Sequence, residues 1–326
     1  MDMLLLQDLS NQHKQPKIKK RGFTIMTLEN KGLTATIVFQ ANSANYGESL
    51  GNVSALKKVT RGDGNQYSYI SRQALRYNMV NELNEPLADL EAKGSGESTV
   101  IQFANTANIK NSPEIDLFGY MKTDSGKNAT TRNAVVRLSN AMGQTPYQGD
   151  TDFLTNMGLA KRMSKKLGKE VYNNIAQSEI QADYYVYTVT IDLDKVGIDE
   201  NDKDSTMQIN NQERARRVNK LLTTIQYLYR DIRGRREDLK PLFIIGGIYD
   251  IKNPFFENEV HVNKGNLSVE SIKSIFEDKY IVENTSVGLV NNIFKNDEQI
   301  KKELNPVSVT KFMQELQDSV SEYYTD

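Results

Sequence analysis

The sequence contains no cysteine and no tryptophan, and its only histidines are His13 and His261. The lack of cysteine excludes disulfides, thiolate metal sites and thiol nucleophiles. It agrees with a reducing cytoplasm, which is the compartment we expect for this protein. Two histidines leave little material for a His-rich metal site or for His-based acid–base chemistry. We therefore expect no cofactor, no metal and no catalytic residue.

Long apolar runs are also missing. The run Leu4-Leu5-Leu6 is too short for a secretory signal, and no segment approaches the length of a membrane span. We predict a protein that has no membrane partner. The 326 residues, of which 38% are hydrophobic, suffice for one large domain with insertions or for two domains.

An excess of charge of one sign is absent as well, because 41 basic and 42 acidic residues give a net charge of −1. This balance argues against a nucleic-acid binder, since such domains are often strongly basic. The distribution argues the other way, because segregated charges allow a positive face toward phosphate. The basic clusters are residues 14–21, 57–76, 161–169 and 214–236, and the acidic ones are residues 192–204 and Glu315, Asp318, Glu322 and Asp326.

The order of predicted elements indicates an α+β fold. Runs rich in β-branched and aromatic residues predict strands, and apolar residues at helical spacing predict helices. Without insertions the order is β-α-β-β-α-β, which is typical of a ferredoxin-like or RRM-like sheet with two helices on one face. The predicted strands are residues 33–39, 115–121, 134–139, 184–193 and 242–249; the predicted helices begin near Ser71 and span 211–234, with short ones near 269–276 and 309–323.

The remaining segments are predicted to be an N-terminal extension and irregular regions. Residues 42–65 are rich in Asn, Ser and Gly, which predicts a long loop, and the strands at 115–121 and 134–139 could form a hairpin. Residues 142–181 have weak periodicity and many lysines, which predicts an excursion from the core. Further strands or a second hairpin could lie within that excursion.

The strongest local signal is a basic loop that leads into a helix start. Lys57, Lys58 and Arg61 precede Ser71, which can cap the helix. Free backbone N–H groups at a helix start favour an anion, and arginine forks match phosphate oxygens. Arg72 and Arg76 are four residues apart and share a helix face. The pattern suits a string of phosphates, although an ordinary solvated helix start with two surface arginines also explains it.

Two further segments could contact nucleic acid. Asn42 and Asn45 can offer amides to sugars and phosphates, or simply form a turn-rich loop. In the excursion, Lys161 and Arg162 follow the apolar residues Phe153 and Met157. Cations beside exposed apolar side chains suit single-stranded nucleic acid, although a small helix with a solvated basic face gives the same pattern. The helix dipole explains the arginines that close the second predicted helix, and a role in RNA binding is the weaker alternative: Arg230, Arg233, Arg235 and Arg236.

Asp63 is the main candidate for a catalytic carboxylate. It lies between Gly62 and Gly64, but no second acid is close to it in the sequence, and a hydrolytic metal site usually needs several oxygen ligands. We interpret Asp63 as a turn residue. Asp192 and Asp194 lead into an acidic loop that lacks the spacing of an EF-hand.

The ordered set of motifs resembles the DevR-type CRISPR-associated backbone subunit of Cascade, subtype I-B. The resemblance covers roughly residues 33–249, and its most specific part is the helix start. The segments that carry it are Tyr67-Ser68-Tyr69-Ile70-Ser71-Arg72-Gln73-Ala74-Leu75-Arg76, the strand at 33–39, Asp116-Leu117-Phe118-Gly119-Tyr120-Met121, Val135-Val136-Arg137-Leu138-Ser139, the strand at 185–194, and the long helix followed by residues 241–247.

The resemblance implies an RRM-like palm at residues 23–326 after an extension at 1–22, with mainly helical fingers at about 78–114 and a thumb at about 142–183. It implies copies that line up head to tail as a helical filament along a crRNA, together with other Cascade subunits and target DNA paired to the guide, in antiviral defence. Each thumb would displace a base, with Phe153, Leu154 and Met157 as candidates for the wedge. The implied palm contacts are Asn42, Asn45, Lys57, Lys58, Arg61, Ser71, Arg72 and Arg76.

Two alternatives remain open at this point. Related backbone subunits of type III complexes cleave RNA with a loop aspartate, so Asp63 could serve a metal-dependent endoribonuclease. The DevR name also suggests a DNA-binding regulator, although no helix-turn-helix spacing supports it.

Overall fold

The computed structural model describes residues 28–42, 44–94, 96, 99–123, 129–203 and 206–325. The predicted N-terminal extension at 1–22, its basic cluster at 14–21 and Ser43 lie outside the described residues. The described strands are β1 Gly32–Ala41, β2 Tyr46–Leu50, β3 Val53–Leu56, β4 Lys58–Thr60, β5 Gln66–Ile70, β6 Leu90–Lys93, β7 Val100–Phe103, β8 Tyr120–Lys122, β9 Thr130–Arg132, β10 Val136–Leu138, β11 Ala141–Gly143, β12 Thr151–Thr155, β13 Ile175–Glu179, β14 Asp183–Asp192, β15 Tyr229–Ile232, β16 Arg235–Asp238, β17 Phe243–Tyr249, β18 Val262–Asn263, β19 Asn266–Leu267, β20 Ser286–Leu289 and β21 Val307–Ser308.

The helices of the described chain lie between these strands. They are α1 Arg72–Leu83, α2 Pro113–Phe118, α3 Met157–Leu167, α4 Asn211–Gln226, α5 Val269–Ile275, α6 Lys279–Glu283, α7 Asp297–Leu304 and α8 Val309–Thr325. None of them combines the length and the apolar character that crossing a bilayer requires.

A nine-stranded sheet forms the centre of the protein, in the order β21-β20-β17-β1-β14-β11-β5-β4, with β10 also paired to β14. Its middle strands pair antiparallel: β1 with β14 over ten residue pairs, and β1 with β17 over seven. In chain order, β1, α1, β10, β14, α4 and β17 follow the β-α-β-β-α-β pattern. The predicted α+β fold with an RRM-like palm is therefore confirmed.

Both faces of the middle strands are buried, because the side chains of a strand alternate between faces. On one face, Leu33, Ile37 and Phe39 of β1 pack with apolar residues of α1, α4 and α8. On the other face, Val38 and Phe243 pack with residues from the C-terminal helices α5, α6 and α7. Because helices cover both faces of the middle strands, the accessible parts of the palm are the loops and the strand ends at the edges of the sheet.

The main sequence predictions hold for the long, regular elements. The strands at 33–39, 134–139, 184–193 and 242–249 correspond to β1, β10, β14 and β17, and the helices at 269–276 and 309–323 correspond to α5 and α8. Ser71 caps α1 as predicted, because its hydroxyl oxygen accepts a hydrogen bond from the Ala74 N–H. The excursion contains a second hairpin, formed by β12 and β13 around α3.

The predicted long loop at 42–65 is wrong, because this segment contains strands β2, β3 and β4. Strands β2 and β3 pair through a turn at Gly51, whose positive φ of 60° suits glycine. Strand β4 pairs with β5, and the Lys57 carbonyl accepts a hydrogen bond from the Tyr69 N–H. The strands are only three to five residues long and polar, so alternation does not distinguish them from turns.

Three other boundaries differ from the prediction. Residues 113–118 form α2 rather than a strand, because Ser112 caps the segment and Pro113 occupies its first turn. Strand β8 consequently pairs with β9 and not with β10. The fingers segment, expected to be mainly helical, contains the hairpin β6–β7 between the helices α1 and α2.

The second long helix ends at Gln226, eight residues before its predicted end. Strands β15 and β16 follow and form a hairpin with a two-residue turn. The turn residues Arg233 and Gly234 have φ values of 48° and 76°, as a type I′ turn requires. The dipole explanation for the arginines of this region is therefore wrong, because they lie on the hairpin and not at a helix end.

Candidate nucleic-acid interface

The junction between β5 and α1 is held by the loop that follows β1. The Asn45 side-chain oxygen accepts hydrogen bonds from the Ser71 hydroxyl at 2.7 Å and from the Ser71 N–H at 3.2 Å. Asn42, the residue that directly follows β1, is exposed, and its N–H donates to Glu237. Asn45 and Ser71 thus have partners within the protein and fix the helix start, while their contact with RNA stays a prediction.

Two predicted cations at this junction have no carboxylate partner within the described residues. Arg72 is exposed at the first turn of α1, and its backbone N–H donates to the Asn140 side chain at 2.9 Å. Lys57 is half-buried, and its backbone N–H donates to the Asn45 carbonyl at 2.7 Å. Both chain positions are therefore fixed by backbone hydrogen bonds, while both charged groups remain available to an anion.

Several predicted cations lie over aromatic rings. The distance from the cationic group to the ring centroid is 4.4 Å for Arg61 over Tyr67 and 4.3 Å for Lys58 over Tyr147. Arginine that stacks on a ring keeps its in-plane N–H groups free to meet an anion. Arg61 has no carboxylate partner among the described side chains, whereas Lys58 forms an ion pair with Glu179 at 2.6 Å. Arg61 is thus the more available of the two charges.

Arg76 is turned partly inward. Its guanidinium lies 5.1 Å from the centroid of Phe118, and a terminal nitrogen is 3.9 Å from a Glu114 oxygen. Burial lowers the pKa of Arg76, although the side chain is still 38% exposed. This placement favours a packing role, and direct contact between Arg76 and RNA stays a prediction.

The thumb presents apolar and basic side chains to solvent. Phe153 and Met157 are 61% and 51% exposed, and α3 buries only Ala160. Lys161 and Arg162 are exposed and have no ion-pair partner in the part of the chain that the structure describes. The large apolar side chains that the thumb leaves exposed are Phe153, Leu154, Met157, Leu159, Met163, Leu167, Tyr172 and Ile175.

The base of the thumb is joined to the palm loops by main-chain and side-chain bonds. Strand β13 pairs in parallel with β3, so that β12, β13, β3 and β2 form one four-stranded sheet. The Glu179 carboxylate accepts a hydrogen bond from the Leu56 N–H at 2.8 Å, in addition to its ion pair with Lys58. The Tyr46 hydroxyl donates to the Glu179 carbonyl at 3.1 Å. The thumb is therefore joined, through this shared sheet, to the strands that follow the loop holding the helix start.

A cleft lies between the thumb base and the turn that joins β18 and β19. Its lining includes Arg61, Tyr67, His261 and Lys264. Its volume is about 670 Å³. No local sequence pattern predicts this cleft, because its lining residues, such as Arg61 and His261, are about 200 positions apart along the chain.

The hairpin β15–β16 carries four arginines, and one of them contacts Tyr46 of β2. Arg230 and Arg235 both form ion pairs with Glu237, and Arg236 pairs with Asp231 at 2.9 Å. Arg233 instead stacks over Tyr46, with its guanidinium carbon 3.9 Å from the ring centroid. The sequence signal for this hairpin was Gly234, a residue that suits a two-residue turn, and the helical periodicity of α4 concealed it.

Asp63 has the surroundings of a turn residue. Its carboxylate accepts hydrogen bonds from the Tyr67 hydroxyl at 2.6 Å and from the N–H and side chain of Asn65. These donors, the Tyr67 hydroxyl first, lower the pKa of Asp63 to about 2. Within the described ranges no three His, Asp or Glu side chains are grouped closely enough to hold a metal ion. The described structure thus offers no feature that favours the endoribonuclease alternative.

A buried ion cluster joins α2 and β9 to α4. The Asp116 carboxylate lies 2.9 Å from Arg132 and 2.9 Å from Arg217, and it also accepts the Gly197 N–H at 2.8 Å. The three charged side chains are 0%, 5% and 3% exposed. Arg217 also pairs with Glu213 at 2.8 Å. Every charge here has a partner, so the cluster stabilises the fold and offers no binding group.

Solved structures share this architecture. A chain described as a CRISPR RNA-guided surveillance complex in a pre-nicking state superimposes with a TM-score of 0.58 at 10% identity, covering 89% of this chain and 100% of its own. Another chain, described as a CRISPR RNA-guided surveillance complex, gives a TM-score of 0.52 at 14% identity, covering 90% and 98%. At such identities the likeness establishes the fold.

The family follows from the sequence itself. The model of the CRISPR-associated negative auto-regulator DevR/Csa2 family matches residues 33–270, most of the chain, and the chain belongs to that family. No curated protein sequence matches the chain. The DevR resemblance inferred from the helix start and the three central strands is therefore confirmed.

Proposed function

We propose that this protein is a crRNA-binding backbone subunit of a type I-B Cascade-type complex. Copies polymerise head to tail along the guide RNA, hold its phosphates without reading its bases, and leave the base edges free to pair with target DNA. The other subunits of the complex bind the same filament. In this function the chain is a structural component in the cytoplasm and has no catalytic residue.

One observation carries the proposal. Lys57 and Arg72 lie at the strand-to-helix junction, Arg61 lies near the start of the same strand β5, and none of the three has a carboxylate partner in the described chain. Surface cations that lack a carboxylate partner can bind an anion, and a phosphate backbone offers anions at regular spacing. A subunit that must accept any guide sequence is expected to contact phosphates and sugars rather than base edges.

The thumb supports the proposed filament. Its exposed apolar side chains, including Phe153 and Met157, lie beside the cations Lys161 and Arg162. Apolar side chains beside cations suit unstacked bases and the phosphates between them. We propose that Phe153, Leu154 or Met157 displaces a base, and that a head-to-tail contact that does not close produces the open helix.

Salt-dependent RNA binding tests the palm site. Fluorescence anisotropy with two labelled single-stranded RNAs of unrelated sequence is expected to give similar affinities, both falling with salt. The double variant Lys57→Ala/Arg72→Ala is expected to weaken binding to both RNAs about tenfold or more, since each charge-assisted contact contributes roughly 1.5–3 kcal/mol. Equal affinity of the double variant and the parent would contradict the site.

A matched control is Lys240→Ala. Lys240 is also exposed, but it already pairs with Asp238 at 2.7 Å, so its removal is expected to leave RNA affinity within about twofold. Duplex DNA in the same buffer separates this proposal from a DNA-binding regulator, because the proposal requires weaker binding to the duplex. Cleavage of the labelled RNA that requires both magnesium and Asp63 would favour the endoribonuclease alternative.

The thumb is tested separately. The double variant Phe153→Ser/Met157→Ser is expected to retain RNA affinity for a short RNA that one copy covers. On a long RNA it is expected to lose the cooperative assembly that sedimentation velocity detects in the parent. Unchanged assembly would contradict the role of these two residues and leave the palm site standing.

A further inference from the structure

Among the four arginines of the hairpin β15–β16, Arg233 has a different environment from the rest. Arg230, Arg235 and Arg236 each form an ion pair with a carboxylate of the same hairpin. Arg233 occupies the turn, is exposed, and makes no ion pair within the described residues. Three of the four arginines are thus paired with the two carboxylates Glu237 and Asp231, and Arg233 is not.

Arg233 is nevertheless held in place. Its guanidinium stacks on Tyr46 at 3.9 Å from the ring centroid, and one terminal N–H donates to the Ser178 hydroxyl at 2.7 Å. Tyr46 is itself fixed, because its hydroxyl donates to the Glu179 carbonyl and its ring packs on the main core. An arginine held by a ring and a neutral hydroxyl loses little further freedom when it meets an anion, which favours binding.

Arg233 lies beside the junction that carries the proposed function. Tyr46 follows Asn45 in the chain, and Asn45 holds the Ser71 helix start. From the other side, Glu237 of the same hairpin accepts the Asn42 N–H at 2.7 Å. The hairpin thus contacts Asn42 and Tyr46, on both sides of Asn45. It places the unpaired guanidinium of Arg233 between Tyr46 of β2 and Ser178 of β13.

We propose that Arg233 is an additional phosphate-binding residue, which contacts the RNA backbone where the path passes from the palm to the thumb. This inference rests on the proposed function and extends its site to an element that the helix-start motif does not contain. The guanidinium presents five N–H donors, and its hydrogen bond to Ser178 uses one of them. Stacking leaves the in-plane donors open, and their fork matches two oxygens of one phosphate.

Arg236 provides a matched control on the same hairpin. It is also exposed and also stacks on a tyrosine, with 4.5 Å between its guanidinium carbon and the centroid of Tyr229, but it pairs with Asp231. Arg233→Ala is expected to lower affinity for single-stranded RNA about tenfold, and Arg236→Ala less than about twofold. The slope of log affinity against log salt is expected to fall by about 0.7 for Arg233→Ala only.

A third variant tests the fork. Arg233→Lys keeps the charge and loses the bidentate geometry, so its affinity is expected to lie between those of the parent and Arg233→Ala. Thermal unfolding followed by circular dichroism checks that all variants are folded. Equal affinities for Arg233→Ala and Arg236→Ala, with an unchanged salt slope, would overturn the proposal.

The outcomes separate this inference from the proposed function. If the parent binds RNA and Lys57→Ala/Arg72→Ala weakens it while Arg233→Ala does not, only the inference fails. If the parent shows no salt-sensitive RNA binding, the proposed function fails first.

Discussion

Two sets of arginines occupy opposite environments in this protein. The interior set, Arg132 and Arg217, surrounds the buried Asp116, and every guanidinium there meets a carboxylate or a backbone carbonyl. The surface set, Arg61, Arg72 and Arg233, has no carboxylate partner within the described residues. The guanidinium groups of Arg61 and Arg233 stack on tyrosine rings instead. The chain position of Arg72 is held by a backbone hydrogen bond to Asn140.

The difference teaches how one residue type serves two purposes. A buried guanidinium without a counter-charge is very costly, so the interior arginines are paired and hold distant segments together. An exposed guanidinium costs little when it is unpaired, so it can be kept for a ligand. Net charge hides this division, because the paired arginines and their carboxylates cancel in the total of −1.

The largest expected effect comes from breaking the interior set. Asp116→Ala leaves Arg132 buried without a counter-charge and Arg217 with Glu213 as its remaining carboxylate partner, so we expect the free energy of unfolding to fall by about 3–5 kcal/mol. Urea denaturation followed by circular dichroism measures it. Asp231→Ala, which removes an exposed carboxylate, serves as the control and is expected to cost less than about 1 kcal/mol. A loss below about 1 kcal/mol for Asp116→Ala would contradict the comparison.

Arg76 lies between the two sets and gives an intermediate effect. Its guanidinium rests on Phe118 and is only weakly associated with Glu114, so Arg76→Ala is expected to lower the free energy of unfolding by about 1 kcal/mol. We expect a smaller loss of RNA affinity than for Arg72→Ala. The same urea titration and RNA anisotropy measurements test it, and a larger loss of affinity than for Arg72→Ala would move Arg76 into the surface set.

A pH titration sharpens the interior side of the comparison. Hydrogen bonds from Arg216 and then Arg217 lower the pKa of Glu213 to about 2. Because the folded pKa is depressed below the unfolded value of about 4.3, this stabilisation is present above pH 4.3 and is lost as pH falls toward 2. The free energy of unfolding is expected to fall between pH 6 and pH 3. In Glu213→Gln this fall is expected to be smaller than in the parent, by less than about 1 kcal/mol.

A parallel titration of Glu257→Gln controls for the general loss of carboxylate charge, since Glu257 has no ion pair within the described chain. An identical drop in midpoint for Glu213→Gln, for this control and for the parent would show that Glu213 contributes nothing to acid stability.

The smallest expected effect on stability belongs to the surface set. Arg72 is exposed and its side chain has no partner in the described structure, so Arg72→Ala should change the free energy of unfolding by less than about 0.5 kcal/mol. The same variant is expected to weaken RNA binding. A clear loss of stability in urea would mean that Arg72 has a structural role and would break the distinction between the two sets.

The fold could be predicted where single elements are long and apolar. The β-branched runs of β1, β14 and β17 and the cap at Ser71 were sufficient for the RRM-like order, because these signals depend on nearby residues only. The short strands β2, β3 and β4 were missed, because each is defined by its partner strand. The apolar run at 115–118 fits both a helix and a strand, and its cap at Ser112 decides between them.

The candidate site could be predicted only in part. The helix-start motif located the junction, but ion pairing is decided by residues far away in the chain. Lys58 meets Glu179, which is 121 positions distant, and nothing in the sequence distinguishes Lys58 from Lys57. Arg233 was assigned to a helix end, since the contact between its hairpin and Tyr46 exists only in the folded chain.

The parallel pairing of β13 with β3 connects the thumb mechanically to β2 and to the loop that precedes it. Main-chain hydrogen bonds resist shear between the two strands, so a torque applied to the outer hairpin reaches Tyr46 and Asn45 without a hinge between them. In the proposed filament, a neighbouring copy that displaces the thumb would also displace the helix start that we propose to contact phosphates. RNA affinity and the contact between adjacent copies would then change together.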